Sequence, residues 1–356
     1  MRVWHLLSNR WNSAITEYAV SAVIANLQSG HEVFVSVLEN SPAHVRMLAT
    51  KAQVFPTESF GPGKYAALVG LSKQINAEAI VTHGGPETTA AHFFKGASRL
   101  IRVYGYNATD KGPFSALAQY MGHTRVDHLI APSEIVAKGL RAIKGDRVSV
   151  VTLGCDDKRY YMDGTPGESD RDLVIFGRLD PVKGHREFMP VFKELLTLVK
   201  AENLPKPRLR IVGLPANVSR AHLETAAKEH GLTQDDISIE CERVENLAKF
   251  MSTTRLAVVS SLGSEIICRV AEEFLLCGTP VVTTSVGSLP GIFVDAGFGL
   301  AYSGDAFEAA RSILSVYRQA MSEDAKARQA RADTARKYFS INAMSQQLDK
   351  VLGARD

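Results

Sequence analysis

The chain has 356 residues, of which 45% are hydrophobic and 22% are charged, and this composition excludes intrinsically disordered and fibrous proteins. Its formal net charge of +3 is too small for a protein that coats nucleic acid, and no apolar run is long enough to cross a bilayer. At roughly 150 residues per domain, the length predicts two domains.

Short β-rich runs alternate with amphipathic stretches through the first half, which predicts a parallel sheet with helices on both faces. The predicted strands are Val3–Leu7, Glu32–Leu38, Ala79–Thr82, Leu100–Tyr104 and His128–Ala131. The predicted helices are Ser13–Gln28, Ala43–Lys51, Lys64–Gln74, Glu87–Lys95 and Ser133–Ala142. A first α/β domain is therefore expected over residues 1–160.

A polar stretch rich in glycine and proline, Tyr161–Asp170, predicts a linker, after which the alternation restarts. The next predicted strands are Leu173–Phe176, Arg208–Val212, Ile237–Ile239, Leu256–Val259 and Pro280–Thr283. Helices are predicted at His185–Lys200, at Arg220–His230 and through Asp305–Leu352, with a break near Phe339. A second α/β domain is expected over residues 171–335, followed by a terminal helix within 340–356.

The cellular location is predicted from the cysteines and the first strand. The apolar run Val3–Leu7 is too short for a signal peptide, which favours a cytoplasmic protein. The four cysteines have no metal-ligand spacing and are typical of reduced thiols. A slight excess of basic residues in the first half also suggests peripheral contact with the inner face of a membrane, against the simpler interpretation of an ordinary solvated surface.

The strongest local signal follows the predicted strand Leu173–Phe176. Gly177-Arg178 ends the strand, a turn follows, and Lys183-Gly184 opens a helix. Ligands of doubly wound sheets bind beyond the carboxyl ends of the strands. Two cations beside a helix N-terminus there predict a site for an anion such as a diphosphate, with solvated turn residues as the alternative.

A second signal is the run from Glu265 to Pro280, which follows the strand Leu256–Val259. Helical geometry puts Ile267 on an apolar stripe, Glu272 toward solvent and Glu273 at the border of the buried face. Glu265 lies at the ligand edge of the sheet, where a carboxylate suits a vicinal diol. The alternative for Glu265 is compensation of charge at the helix N-terminus.

These segments together resemble the retaining glycosyltransferases of the large family four type, and the resemblance extends over nearly the whole chain. Each segment alone is weak evidence for the family, but all of them occur in the order and at the spacings that the family has. In addition to the 177–184 turn and the Glu265/Glu273 pair, the matching segments are Cys277–Val282, Val286–Pro290, His128–Ser133 and Val151–Asp156.

The resemblance implies an α/β fold of the GT-B type, with two facing Rossmann-like domains and a C-terminal crossover helix. The first domain would bind a saccharide or lipid-linked acceptor, and the second a nucleotide-sugar donor. Arg178 and Lys183 would hold the donor diphosphate, Glu273 the ribose, and Glu265 would lie against the sugar. No metal or other cofactor is implied, since fixed cations would stabilise the leaving diphosphate. Envelope polysaccharide or lipopolysaccharide synthesis is the expected context.

The chain departs from the family pattern in two loops. Where the family often has Gly-Phe-Gly after its first glutamate, this chain has Ile266 followed by Ile267, Cys268 and Arg269, which are placed by the resemblance at the donor. In the first loop, where the family often has Gly-Gly, this chain has Asn9–Ala14. Ser13 is expected to cap the helix, and Asn12 or Ser13 to face the reaction centre.

Two further residues of the first domain are candidates for chemistry. His83 follows the strand Ala79–Thr82 and is predicted to contact the donor sugar. Asp110 lies in a polar loop and is predicted to orient or deprotonate an acceptor hydroxyl. For both residues, local hydrogen bonding within a turn is an equally good explanation.

The sequence also contains one competing metal motif, and two alternative functions remain open. Asp170-Arg171-Asp172 has the Asp-x-Asp form of a divalent-metal site, although it lies at the end of the linker. A nucleotide-sugar epimerase shares the architecture; incubation with a nucleotide sugar alone would reveal it, because an epimerase needs no acceptor. A non-catalytic nucleotide-sugar-binding protein is suggested by the atypical loops.

Overall fold

The computed structural model describes residues 1–11, 13–105, 125–167, 170–263, 265–294 and 298–353. The chain forms two compact units, Met1–Asp156 with Tyr338–Asp356 and Asp157–Lys337. The sequence predicted a first domain over residues 1–160 with 340–356, and a second domain over residues 171–335. The linker predicted from composition is therefore grouped with the second unit rather than lying between the two.

The first unit contains a seven-stranded parallel sheet in the order β3-β2-β1-β4-β5-β6-β7. Its strands are β1 (Arg2–Leu7), β2 (Glu32–Leu38), β3 (Gln53–Thr57), β4 (Ala79–Thr82), β5 (Arg99–Val103), β6 (His128–Ala131) and β7 (Val148–Val150). Its helices before the second unit are α1 (Ala14–Gln28), α2 (Pro42–Leu48), α3 (Tyr65–Ile75), α4 (Gly85–Ala91) and α5 (Glu134–Lys144). The central strands β1 and β4 are mostly apolar and, apart from the first residue of β1, buried, because helices cover both faces.

The second unit contains a six-stranded parallel sheet in the order β10-β9-β8-β11-β12-β13, the strand order of a Rossmann fold. Its strands are β8 (Asp172–Phe176), β9 (Arg208–Val212), β10 (Ile237–Glu240), β11 (Leu256–Val259), β12 (Val281–Thr284) and β13 (Gly299–Tyr302). Its helices are α6 (His185–Ala201), α7 (Arg220–Glu229), α8 (Leu247–Thr253), α9 (Arg269–Leu276), α10 (Ala306–Ser322) and α11 (Ala325–Phe339). None of the described helices is long and apolar enough to cross a membrane.

The last helix, α12 (Ile341–Gly353), belongs to the first unit, and the break predicted near Phe339 separates it from α11. The Ser345 hydroxyl donates to the carbonyl oxygen of Ala25 at 3.0 Å and lies 2.6 Å from the hydroxyl of Ser29, so α12 packs along α1. The C-terminal crossover helix that the resemblance implied is therefore present.

Three strands, β3, β7 and β13, were absent from the prediction, and each lies at an edge of its sheet. An edge strand pairs on one side only, so it is less buried and lacks the apolar run by which central strands are recognised. The predicted helix 87–95 is also shifted, because α4 begins at Gly85 and ends at Ala91.

Candidate functional site

Three loops of the second unit meet where the neighbouring strands β8, β11 and β12 end. The Leu262 amide donates to the carbonyl of Val182 at 2.8 Å, and the Ser260 hydroxyl donates to the carbonyl of Lys183 at 2.8 Å. The Thr284 hydroxyl donates to the carbonyl of Ser261 at 2.6 Å. The turn after β8 is thereby joined to the loop after β11, and that loop to the end of β12.

Lys183 and Glu265, which are 82 residues apart in the chain, form an ion pair in this cluster. The Lys183 ammonium donates to Oε1 of Glu265, and the Ser261 hydroxyl donates to the same oxygen at 2.5 Å. The carboxylate side chain is 4% exposed and the lysine side chain 30% exposed. A buried carboxylate thus fixes a partly exposed cation, which keeps hydrogen-bond donors available toward solvent.

Gly184 is required for this arrangement. Its φ is +67°, in the left-handed region, and a Cβ at this position would lie 2.0 Å from the carbonyl oxygen of Ser260. Only glycine allows the backbone of the lysine turn to approach the neighbouring loop so closely. Gly184 also precedes α6, whose first-turn N–H groups are available to an anion.

The second predicted carboxylate, Glu273, lies in α9 and pairs with Arg269 one helical turn earlier. It also accepts a hydrogen bond from the Tyr160 hydroxyl, and its burial raises the pKa of the Glu273 carboxyl. The border position that the sequence predicted for Glu273 is in fact a buried one, with 3% exposure.

Two predictions about this helix are wrong. Glu272 is 1% exposed, not turned to solvent, because the outer face of α9 is covered as well as its inner face. Ile267 is not on the helical stripe, since α9 begins at Arg269; Ile267 is half-buried in the preceding loop, and Cys268 is the N-cap residue.

Cys268 and Arg178 complete the set of predicted donor-binding residues. The Cys268 thiol is buried, and this burial together with the nearby Glu265 carboxylate raises its pKa. Arg178 is exposed at the end of β8. Within the described ranges the Arg178 side chain makes no ion pair with Glu265 or Glu273, so the cluster brings together Lys183, Glu265 and Cys268, while Glu273 pairs separately with Arg269.

A buried histidine, His185, starts α6 directly after the lysine turn. It is 2% exposed, and this burial lowers the pKa of His185 to about 4. The imidazole is therefore neutral in the folded protein at neutral pH, whereas in the unfolded chain it would titrate near its ordinary value of 6.5.

We expect His185 to make the protein less stable in acid. As the pH falls, the unfolded state binds a proton on His185 before the folded state does. The neutral His185 therefore does not reduce the unfolding free energy above pH 6.5, but reduces it progressively as the pH falls toward 4. Each pKa unit is worth about 1.4 kcal/mol, so the total loss is about 3 kcal/mol. We expect the unfolding free energy of His185→Leu, measured with urea between pH 7 and 4, to fall less steeply with decreasing pH than that of the parent. The unfolding free energy of His222→Leu, a substitution of an exposed residue, should fall as steeply as that of the parent. An equal dependence on pH in His185→Leu and the parent would contradict this prediction.

In the first unit, the loop after β1 is tied to the start of α4. The Ser8 amide donates to Glu87 at 3.2 Å and the Ser8 hydroxyl at 2.5 Å. Glu87 is fully buried, which raises the pKa of its carboxyl. Ser13 caps α1, as predicted, and its hydroxyl accepts from the Asn9 amide at 2.7 Å. Trp11, between them, is 76% exposed.

The other predicted residues of the first unit divide into two groups. His83 lies just beyond β4, as expected, but its side chain is buried, with 2% exposure, and contacts His5. Asn12 and Asp110 lie outside the described residues. The site roles of His83, Ser13, Asn12 and Asp110 stay predictions.

Both aspartates of the Asp-x-Asp motif accept hydrogen bonds from other residues of the second unit. The Asp170 carboxylate accepts from the amide of Gly167 at 2.8 Å, and Asp172 accepts from Arg210 at 3.1 Å. Across the described ranges, no group of three or more His, Cys, Asp or Glu side chains is placed to hold a metal ion.

Sequence reasoning missed several residues of these clusters. Ser261 was detectable in principle, because it is a polar residue directly after a buried strand. His5, in the middle of the apolar strand β1, was also visible as an exception to its surroundings. Ser288, whose hydroxyl donates to the carbonyl of Glu265, lies in the segment Val286–Pro290 already matched to the family. Tyr160 had no recognisable signal, because its partner Arg269 is distant in the chain.

Residues 170–319 match the model of the family described as glycosyl transferases group 1. Two similar curated relatives are D-inositol 3-phosphate glycosyltransferases, one from Mycobacterium sp. (strain JLS), 29% identical over 50% of this chain, and one from Mycolicibacterium smegmatis, 28% identical over 54%. The matched regions span 42% and 45% of those relatives, so this chain matches less than half of the length of each.

Solved structures match over almost the whole chain. HepE from Anabaena in complex with UDP has a TM-score of 0.78 at 16% identity, covering 99% of this chain and 100% of that one. A glycosyltransferase from Rickettsia africae also has a TM-score of 0.78, at 14% identity and 99% coverage of both chains. The fold of this chain is therefore GT-B, and its residues 170–319 are similar to the family of glycosyl transferases group 1.

Proposed function

We propose that this protein is a retaining glycosyltransferase that moves a sugar from a nucleotide-sugar donor to a saccharide or lipid-linked acceptor. The observation that carries the proposal is the Lys183–Glu265 pair at the carboxyl edge of the second sheet, within the residues that match the family. Solved relatives of the same fold, such as HepE from Anabaena, were crystallised with UDP and with UDP-glucose.

The chemistry of the site suits a departing diphosphate. Negative charge grows on the leaving group as the glycosidic bond breaks, and fixed cations lower the free energy of that transition state. Lys183 is held in place by its ion pair with Glu265. Arg178, at the start of the same turn, is exposed, and the N-terminus of α6 directly follows the turn. We propose that these groups hold the diphosphate without a metal ion.

The remaining roles follow the family resemblance. Glu265 lies against the donor sugar, Glu273 binds the ribose, and Ile267, Cys268 and Arg269 line the donor. The acceptor hydroxyl attacks the anomeric carbon of the donor on the same face from which the diphosphate leaves, so that the new glycosidic bond forms as the old one breaks, and the departing diphosphate takes the proton of that hydroxyl. We place the protein in the cytoplasm, in contact with the inner face of the membrane, in envelope polysaccharide or lipopolysaccharide synthesis; a lipopolysaccharide outer core galactosyltransferase, WaaB, has the same fold.

The proposal is tested first by thermal unfolding with UDP-glucose, GDP-glucose and ADP-glucose. A ligand at 100 times its dissociation constant stabilises the folded state by about 2.7 kcal/mol, so one of the three donors should raise the transition temperature clearly. The same donor should be hydrolysed slowly in the absence of acceptor. No shift and no hydrolysis with any of the three would contradict the proposal.

The carboxylate is tested by Glu265→Gln, which keeps the shape of the side chain. We expect turnover of the donor to fall by about 10²–10³-fold, the usual effect of losing one charge-stabilising group. Circular dichroism should show an intact fold. Glu187→Gln, on an exposed glutamate in the first turn of α6, is the control and should leave turnover unchanged. Full activity in Glu265→Gln would remove Glu265 from the site.

A further inference from the structure

Three polar side chains lie end to end in the core of the first unit, on α1, β1 and β4. Nδ2 of Asn26 is 2.9 Å from Nε2 of His5, and Nδ1 of His5 is 3.1 Å from Nε2 of His83. All three residues are at most 2% exposed. The two imidazole rings are stacked, with centroids 5.4 Å apart and planes inclined by 16°.

Hydrogen-bond polarity propagates along this row. The Asn26 amide donates, so Nε2 of His5 must be the unprotonated nitrogen. A neutral imidazole has one N–H, which His5 then carries on Nδ1 and donates to Nε2 of His83. His83 is left with its own hydrogen on Nδ1. The row therefore selects one of the two tautomers of His83.

The opposite polarity is less favourable. If the amide of Asn26 were turned so that its oxygen accepted from His5, both N–H bonds of the buried amide would lack acceptors among the described residues. With the amide donating, one N–H is used and the unpartnered Oδ1 is a carbonyl oxygen, which tolerates burial better.

The outer nitrogen of His83 is unusual. Nδ1 is buried and has no hydrogen-bond partner among the described residues. The Tyr18 ring, 6.4 Å from the imidazole, packs beside it and is fixed by a hydrogen bond from its hydroxyl to the carbonyl of Val151 at 2.8 Å. The amide of His83 donates to the carbonyl of Leu6 at 3.1 Å, which places the residue at the carboxyl ends of β4 and β1. Burial lowers the pKa of His83 to about 3, so the ring stays neutral.

We propose that Asn26 and His5 are positioning residues that hold His83 as its Nδ1–H tautomer, so that the outer N–H donates to an oxygen atom of the bound substrate. The buried Nδ1 of His83 supports this role, because a buried N–H without an acceptor is unfavourable unless a ligand supplies one. The part that concerns the substrate rests on the proposed function; the tautomer does not.

The tautomer is tested directly on the full chain by nitrogen NMR with ¹⁵N-labelled histidine. We expect the signals of His5 and His83 to show protonated Nδ1 and unprotonated Nε2 in both rings. In Asn26→Leu, which removes the hydrogen bond to His5 and leaves both imidazoles in place, the signals of His83 should move toward a mixture of the two tautomers. An Nε2–H tautomer at His83 in the parent, or no change in Asn26→Leu, would overturn the proposal.

The functional part is tested by a double-mutant cycle, measured as hydrolysis of whichever of the three glucose donors is turned over. Asn26→Leu should lower kcat by about tenfold, the size typical of removing a group that orients a functional histidine. In His83→Asn, the amide supplies an N–H without tautomers, so adding Asn26→Leu should change kcat by less than about twofold. Equal effects in the two backgrounds would show a merely structural role. If no donor is hydrolysed, the proposed function fails, while the NMR result still decides the tautomer.

Discussion

Replacing Lys183 with methionine is expected to abolish donor turnover and to destabilise the second unit. The substitution removes the fixed cation proposed for the diphosphate, which should cost about 10³-fold in kcat. It also leaves Glu265, whose side chain is 4% exposed, without its cation, and an uncompensated buried carboxylate costs about 3 kcal/mol of unfolding free energy.

The two effects are separated by a second substitution. In Lys183→Met combined with Glu265→Gln, no buried charge is left unpaired, so the unfolding free energy should recover while turnover should not. Lys193→Met, on an exposed lysine of α6, is the control for the loss of a charge on this helix. Turnover in the double variant as high as in Glu265→Gln alone would show that Lys183 acts only by stabilising the fold.

Replacing Gly287 with alanine is expected to disturb Glu265 from the opposite side. Gly287 has a φ of +57°, and a Cβ there would lie 2.3 Å from the carbonyl oxygen of Glu265. The next residue, Ser288, donates to that same oxygen from its amide and its hydroxyl, both at 2.8 Å. Since the new Cβ would clash with a backbone oxygen, which cannot turn aside as a flexible side chain can, the loop must move and these hydrogen bonds must weaken.

We expect Gly287→Ala to lower the unfolding free energy by about 2–3 kcal/mol, from backbone strain and lost hydrogen bonds, and to lower donor turnover at the same time. Gly263→Ala is the matched control, because no atom of the described residues beyond its chain neighbours lies within 4 Å of a Cβ at that position in the neighbouring loop. Denaturant unfolding and donor hydrolysis measure both effects. Equal stability of the two variants would mean that the Glu265 loop tolerates the displacement.

The order of the elements was predictable for a physical reason. Central parallel strands are buried on both faces, so they are continuous apolar runs, and β1, β4 and β11 were recognised in this way. Ser13 could be identified as a cap because the preference for serine there depends only on neighbouring backbone N–H groups. Edge strands such as β3 have no comparable pattern.

The sequence by itself determined that there are two α/β domains, and that Lys183 and Glu265 each follow a strand of the second one. Only the tertiary structure decided that these two side chains pair, that Glu272 is buried, and that His5 contacts His83. Local patterns report the period and propensity of one element. The pairing of groups 78 or 82 residues apart depends instead on which strand ends become neighbours in the sheet and on what packs over each helix face.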